Sequence, residues 1–165
     1  MKSEQQLIFW DSSVIIDAIQ KTPGRYEEIE PLIHKAENGN LKIVISEVSV
    51  AEVCYLKQKK REGLPLAKQI EFIRNWFDNE YIVRRIVSPG VSELASGYAL
   101  YHNITPLDAI IAATAAFYQI QTLHTYDAVL AKRTKSKKNT LADLDGLIGD
   151  PPIRIGPPGF ESTTS

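Results

Sequence analysis

The 165-residue chain carries 19 basic and 20 acidic side chains for a net charge of −1, with 44% hydrophobic and 24% charged residues. That balance is ordinary for a soluble globular protein and argues against wholesale wrapping of DNA or RNA, although local basic clusters remain open. A single cysteine, Cys54, excludes an internal disulfide or a zinc framework. The four-residue apolar run Leu7–Trp10 is no signal peptide, and nothing approaches the roughly 18 apolar residues of a membrane span. A cytoplasmic protein with one domain over residues 1–155 is expected, with a loose tail at 156–165.

In chain order, Leu7-Ile8-Phe9-Trp10 reads as a strand covered on both faces, ending at Asp11. Ser12 or Ser13 can cap a helix over Val14 to Gln20, and a second helix runs from Arg25 to about Glu37. Lys42–Ile45 is a second buried strand, after which Ser46 caps a helix from Glu47 to about Arg61. Pro65 to Asn79 spaces Leu66, Ile70, Ile73 and Phe77 as a helix does, and Tyr81–Val87 is a third strand. Ser88-Pro89 opens a helix to about His102. Thr105 and Pro106 start another, with Asp108 where a capping-box acid would fall. That helix, through Tyr118, is apolar or small on every side, which requires cover on most sides. Gln121–Thr125 is a fourth strand candidate with a helix from about Ala128. Lys132–Lys138 reads as a basic loop, Thr140–Leu147 as a helical turn or two, and Ile153–Ile155 as an edge strand.

Short apolar strands alternating with helices predict a three-layer α/β/α domain around a parallel sheet of four to five strands. In such sheets the ligand crevice lies beyond the carboxyl ends of the strands. Asp11, Asp108 and Asp127 stand at strand-to-helix junctions or helix starts, and Glu52 sits on a mostly apolar helix face one to two turns after the second strand. Each acid alone has an ordinary reading, as a cap or a buried ion pair. Together they can converge on one edge of the sheet, where four carboxylates repel unless a cation is bound. All-oxygen ligands suit Mg2+ or Mn2+ and point to phosphate chemistry, in which the ion polarises a phosphoryl oxygen and acidifies an attacking water.

The ordered set Asp11-Ser12-Ser13, Ser46…Glu52, Leu107-Asp108-Ala109-Ile110-Ile111-Ala112-Ala113-Thr114-Ala115 and Thr125-Tyr126-Asp127 resembles a PIN-domain ribonuclease. More narrowly, it resembles the small single-domain PIN proteins of the VapC toxin type, over roughly Leu7 to Ile155. The resemblance implies metal ligation by Asp11, Glu52, Asp108 and Asp127, with Ser13 and Thr125 as orienting hydroxyls. It further implies Mg2+- or Mn2+-dependent cleavage of RNA to a 5′-phosphate and a 3′-hydroxyl, an antitoxin partner and a homodimer. Tyr126 departs from the family pattern, which often has a basic or small polar residue there.

Asp17 reads as a helix-surface or supporting acid, and His34, His102 and His124 show no ligand spacing. The basic runs Lys57–Arg61 and Lys132, Arg133, Lys135, Lys137 and Lys138 follow elements carrying proposed ligands, so they can flank the site and hold RNA phosphates. Two rival readings are a phosphotransfer or phosphatase domain with an acidic metal pocket, and a catalytically silent RNA- or protein-binding module. Ser12 and Ser13, rather than a second acid, follow Asp11, and no Lys closes the fourth strand, which weighs against the first. The complete set of four acids weighs against the second.

Overall fold

In the computed structural model, residues 5–56, 65–120, 122–135 and 154–156 are described. Five parallel strands form one sheet in the order β3-β2-β1-β4-β5. They are β1 (Gln6–Trp10), β2 (Leu41–Ser46), β3 (Ile82–Arg85), β4 (Thr122–His124) and β5 (Arg154–Gly156). The helices are α1 (Ser12–Gln20), α2 (Tyr26–Glu37), α3 (Glu47–Leu56), α4 (Leu66–Phe77), α5 (Pro89–His102), α6 (Pro106–Phe117) and α7 (Ala128–Lys135). The strand order reverses between β1 and β4, and at such a switch point the loops leaving neighbouring strands diverge and leave a crevice.

The two middle strands are apolar without alternation because both faces are covered. Ile8, Trp10, Ile43 and Ile45 pack with α1, α2 and α4 residues such as Val14, Ile29 and Phe77. Phe9 and Val44 face the other way, against Ile111 and Ala115 of α6. The α6 helix is buried from Ile111 through Ala116, and Ala109, Ala112, Ala113 and Ala116 pack with α5 residues Val91, Leu94 and Tyr98. Small side chains let these two helices approach closely. Near one end of the pair, a Cβ on Gly90 would stand 2.6 Å from Phe117 Cε2.

Several boundaries differ from expectation for local reasons. Asp11, not a serine, is the N-cap of α1, because its carboxylate accepts the Ser12 N–H. The first part of the expected basic loop is helical, since Asp127 caps α7 and the helix runs through Lys135. Asp17 is buried rather than on the helix surface, paired with Arg25 Nη1 at 2.7 Å and accepting the Thr22 hydroxyl at 2.7 Å. The run Lys57–Arg61, the stretch 140–147 and the tail after Gly156 lie outside the described residues. Among the described residues no helix is long and apolar enough to cross a membrane.

Candidate functional site

The crevice is built first from the ends of β1 and β4. The Asp11 N–H donates to the His124 carbonyl at 3.0 Å, tying the two strand ends together. Asp11 is only 5% exposed, yet its carboxylate is well supplied with donors. Oδ1 accepts the Ser12 N–H at 2.7 Å, and Oδ2 accepts the hydroxyls of Ser13 at 2.8 Å and Thr125 at 2.7 Å. The direction of both hydroxyls follows from their other neighbours. Ser13 Oγ accepts the Tyr126 N–H at 3.0 Å and Thr125 Oγ1 accepts the Asp127 N–H at 2.9 Å. Each hydroxyl has one hydrogen to give, and it goes to Asp11.

Glu52 projects from α3 and accepts the Ser12 hydroxyl, so Ser12 links both carboxylates through its N–H and its Oγ. Asp108, at the start of α6, accepts the Thr105 hydroxyl at 2.6 Å while its own N–H donates back to Thr105 Oγ1 at 3.3 Å. The acid thus bonds the cap hydroxyl rather than the Thr105 backbone N–H of a capping box. Asp127 also caps: its Oδ1 accepts the N–H groups of Val129 at 2.8 Å and Leu130 at 3.0 Å. It joins the others through Thr125, whose oxygen it shares with Asp11.

Burial pushes the Asp11 carboxyl up from its ordinary value, the Thr125, Ser13 and Ser12 hydrogen bonds pull it back, and the negative charge of Asp108 adds to the rise. Glu52 is raised by burial, lowered by Ser12, and raised again by Asp11 and Asp108. Asp11, Glu52 and Asp108 are therefore near enough to feel one another, and among the described residues no Lys or Arg offsets their charge in either case. Among the described residues, no three His, Cys, Asp or Glu side chains close on one point as a ready ligand set.

Nearby groups have structural duties. His124 accepts the Trp10 indole N–H at 3.2 Å on Nδ1, and burial lowers its pKa to about 4, so it is held neutral. Arg133 donates to the Asn103 carbonyl, and His102 Nδ1 donates to the Arg133 carbonyl at 3.2 Å, which joins α7 to the end of α5. Lys132 and Lys135 belong to α7, but their side chains lie outside the description, as do Lys137 and Lys138. The sequence marks Ser12 as a possible cap within the Asp11-Ser12-Ser13 run, but nothing local signals its hydroxyl as the link to Glu52.

The PIN-domain family model matches residues 8–136, and the chain belongs to the PIN-domain family. Two solved structures share the fold. One is a chain from the crystal structure of VapBC2 from Rickettsia felis bound to a DNA fragment from their promoter, with 16% identity and a TM-score of 0.59. It covers 91% of this chain and 97% of its own. The other is a chain from the structure of FitAB bound to an IR36 DNA fragment, at 17% identity and a TM-score of 0.62, covering 95% and 99%. No curated protein matches the sequence.

Proposed function

We propose that this PIN domain is a divalent-metal-dependent endoribonuclease and the toxin half of a toxin–antitoxin pair, acting in the cytoplasm. PIN domains are generally nucleases that use divalent metal ions. The observation that carries the reading is the uncompensated charge at the crevice. A buried Asp11, held by three hydrogen-bond donors, lies within electrostatic reach of Glu52 and Asp108, and among the described residues no cationic side chain balances them. Magnesium suits such a place, because it keeps several waters and binds through one or two carboxylates, so a closed protein cage is not required. Asp11, Glu52, Asp108 and Asp127 are the residues we assign to hold it. When bound, the ion supplies charge neutralisation at the scissile phosphate and a more acidic attacking water.

The chain's own groups then do the positioning. Ser13, Thr125 and the Ser12 N–H fix Asp11 and oppose the effect of burial on its charge, Ser12 Oγ bonds Glu52, and Thr105 holds Asp108 at the start of α6. The crevice needs no covalent nucleophile. VapBC2 and FitAB, both toxin–antitoxin assemblies captured on DNA, support a small antitoxin as partner, and we expect the chain to form a homodimer.

The test is cleavage of single-stranded and looped RNA with Mg2+ or Mn2+, comparing the parent with Asp11→Asn and Asp108→Asn. Each substitution keeps the shape and removes a charge, and each is expected to lower the rate by roughly a hundredfold or more. Full activity in both variants, or activity that survives chelation, overturns the reading.

A further inference from the structure

Arg25 stands between α1 and α2 and is anchored twice. Its Nη1 pairs with the buried Asp17 at 2.7 Å, and its guanidinium lies 4.4 Å from the centroid of the Tyr126 ring. Tyr126 is itself fixed: its hydroxyl donates to Glu28 Oε2 at 2.7 Å, its ring packs on the core, and its N–H donates to Ser13. The stack is tied to the acidic crevice through its backbone, since the Tyr126 N–H donates to the same Ser13 Oγ whose hydrogen goes to Asp11. The Arg25 side chain is nevertheless 49% exposed, and Nη1 is its one hydrogen-bonded nitrogen among the described residues. A guanidinium held against a tyrosine ring and half exposed to solvent offers a plane on which a further aromatic ring can stack.

We propose that the Arg25–Tyr126 stack is a nucleotide subsite, taking one unstacked base of single-stranded RNA on the outer face of the guanidinium. The proposal rests on the ribonuclease reading above. Asp17 already balances the charge of Arg25, so the subsite acts through stacking and planar hydrogen bonding more than through net charge. Single strands qualify and duplexes do not, since paired bases keep their faces covered.

The experiment measures binding of a short fluorescent single-stranded oligoribonucleotide, and of its duplex, to protein carrying Asp108→Asn to prevent cleavage. Arg25→Gln and Arg25→Lys are compared on that background, with folding checked by circular dichroism. Lys keeps a cation beside Asp17 but offers no plane. Both variants are expected to bind the single strand roughly tenfold more weakly, a loss within the range for one base stack, with duplex affinity and salt slope unchanged. Parental affinity in Arg25→Lys overturns the subsite, because it assigns Arg25 to holding Asp17 alone. Should Arg25→Gln fail to fold, Arg25→Lys decides. A folded background protein that binds no single-stranded RNA overturns the ribonuclease reading and the subsite with it. Binding that both variants retain overturns the subsite only.

Discussion

Asp11 is held by hydroxyls whose own oxygens are occupied by the N–H groups of Tyr126 and Asp127. The Thr125 side chain therefore does two tasks with one oxygen. Thr125→Val keeps the shape but leaves the Asp127 N–H and a buried carboxylate oxygen each short of a partner. We expect a loss of about 1–3 kcal/mol in urea denaturation, together with a fall in RNA cleavage. The Glu47–Arg84 pair is a contrasting case. It is doubly hydrogen-bonded at 2.7 Å, but its side chains are 36% and 40% exposed. Solvent screens such a pair, so Glu47→Gln should cost under about 1 kcal/mol by the same measurement.

Among the elements, α6 sets how much of the domain can change. Ala113 is fully buried in the cluster that α6 shares with α5 and Leu130, so Ala113→Leu overpacks it and should cost about 1–3 kcal/mol in urea denaturation. Gly90→Ala meets the far end of an exposed Phe117 ring, which can swing aside, and a nearly unchanged midpoint is expected. The enclosure of α6 was legible in the sequence because a helix with no polar face has nowhere else to go. The parallel strands were legible too, as unbroken apolar runs. The reach of α7 through Lys135 was not, since a run of basic residues has the same composition in a helix as in a loop. Nor was the buried Asp17–Arg25 pair, or the bridge from Ser12 to Glu52. The first depends on how the turn between α1 and α2 closes and the second on how α1 packs against α3, 40 positions away, and local periodicity carries neither. The order of the four acids and a capping role for Asp127 could be read; the near-complete enclosure of Asp11 could not.

At the scale of the molecule, two sets of buried groups give opposing dependences on pH. Asp11 and Glu52 are raised above their ordinary values of 3.8 and 4.5, so the folded state holds protons that the unfolded state has released. Their contribution therefore turns unfavourable as pH rises from those values through the folded ones. His124 is lowered from 6.5 to about 4, so its contribution is lost as pH falls through that interval, by on the order of 3 kcal/mol. Added Mg2+ should raise the thermal midpoint most near neutral pH and progressively less in acid, as protons take up the raised Asp11 and Glu52 carboxylates. Scanning fluorimetry across pH, with chelator and with Mg2+, reads this directly, and a metal effect equal at every pH counts against it.

The hydrogen bond from the Asp11 N–H to the His124 carbonyl joins residues 113 positions apart. One half of the crevice is therefore translated long before the other. At roughly 5–20 residues per second, several seconds separate them, with further delay while β4 clears the ribosome and docks beside β1. Until then Asp11 lacks Thr125, and Ser13 lacks the N–H that aims its proton. A nascent or prematurely terminated chain would carry most of the acids and none of the assembled crevice. For a protein read as a toxin, that ordering of synthesis leaves time for a partner to be present before the enzyme is complete.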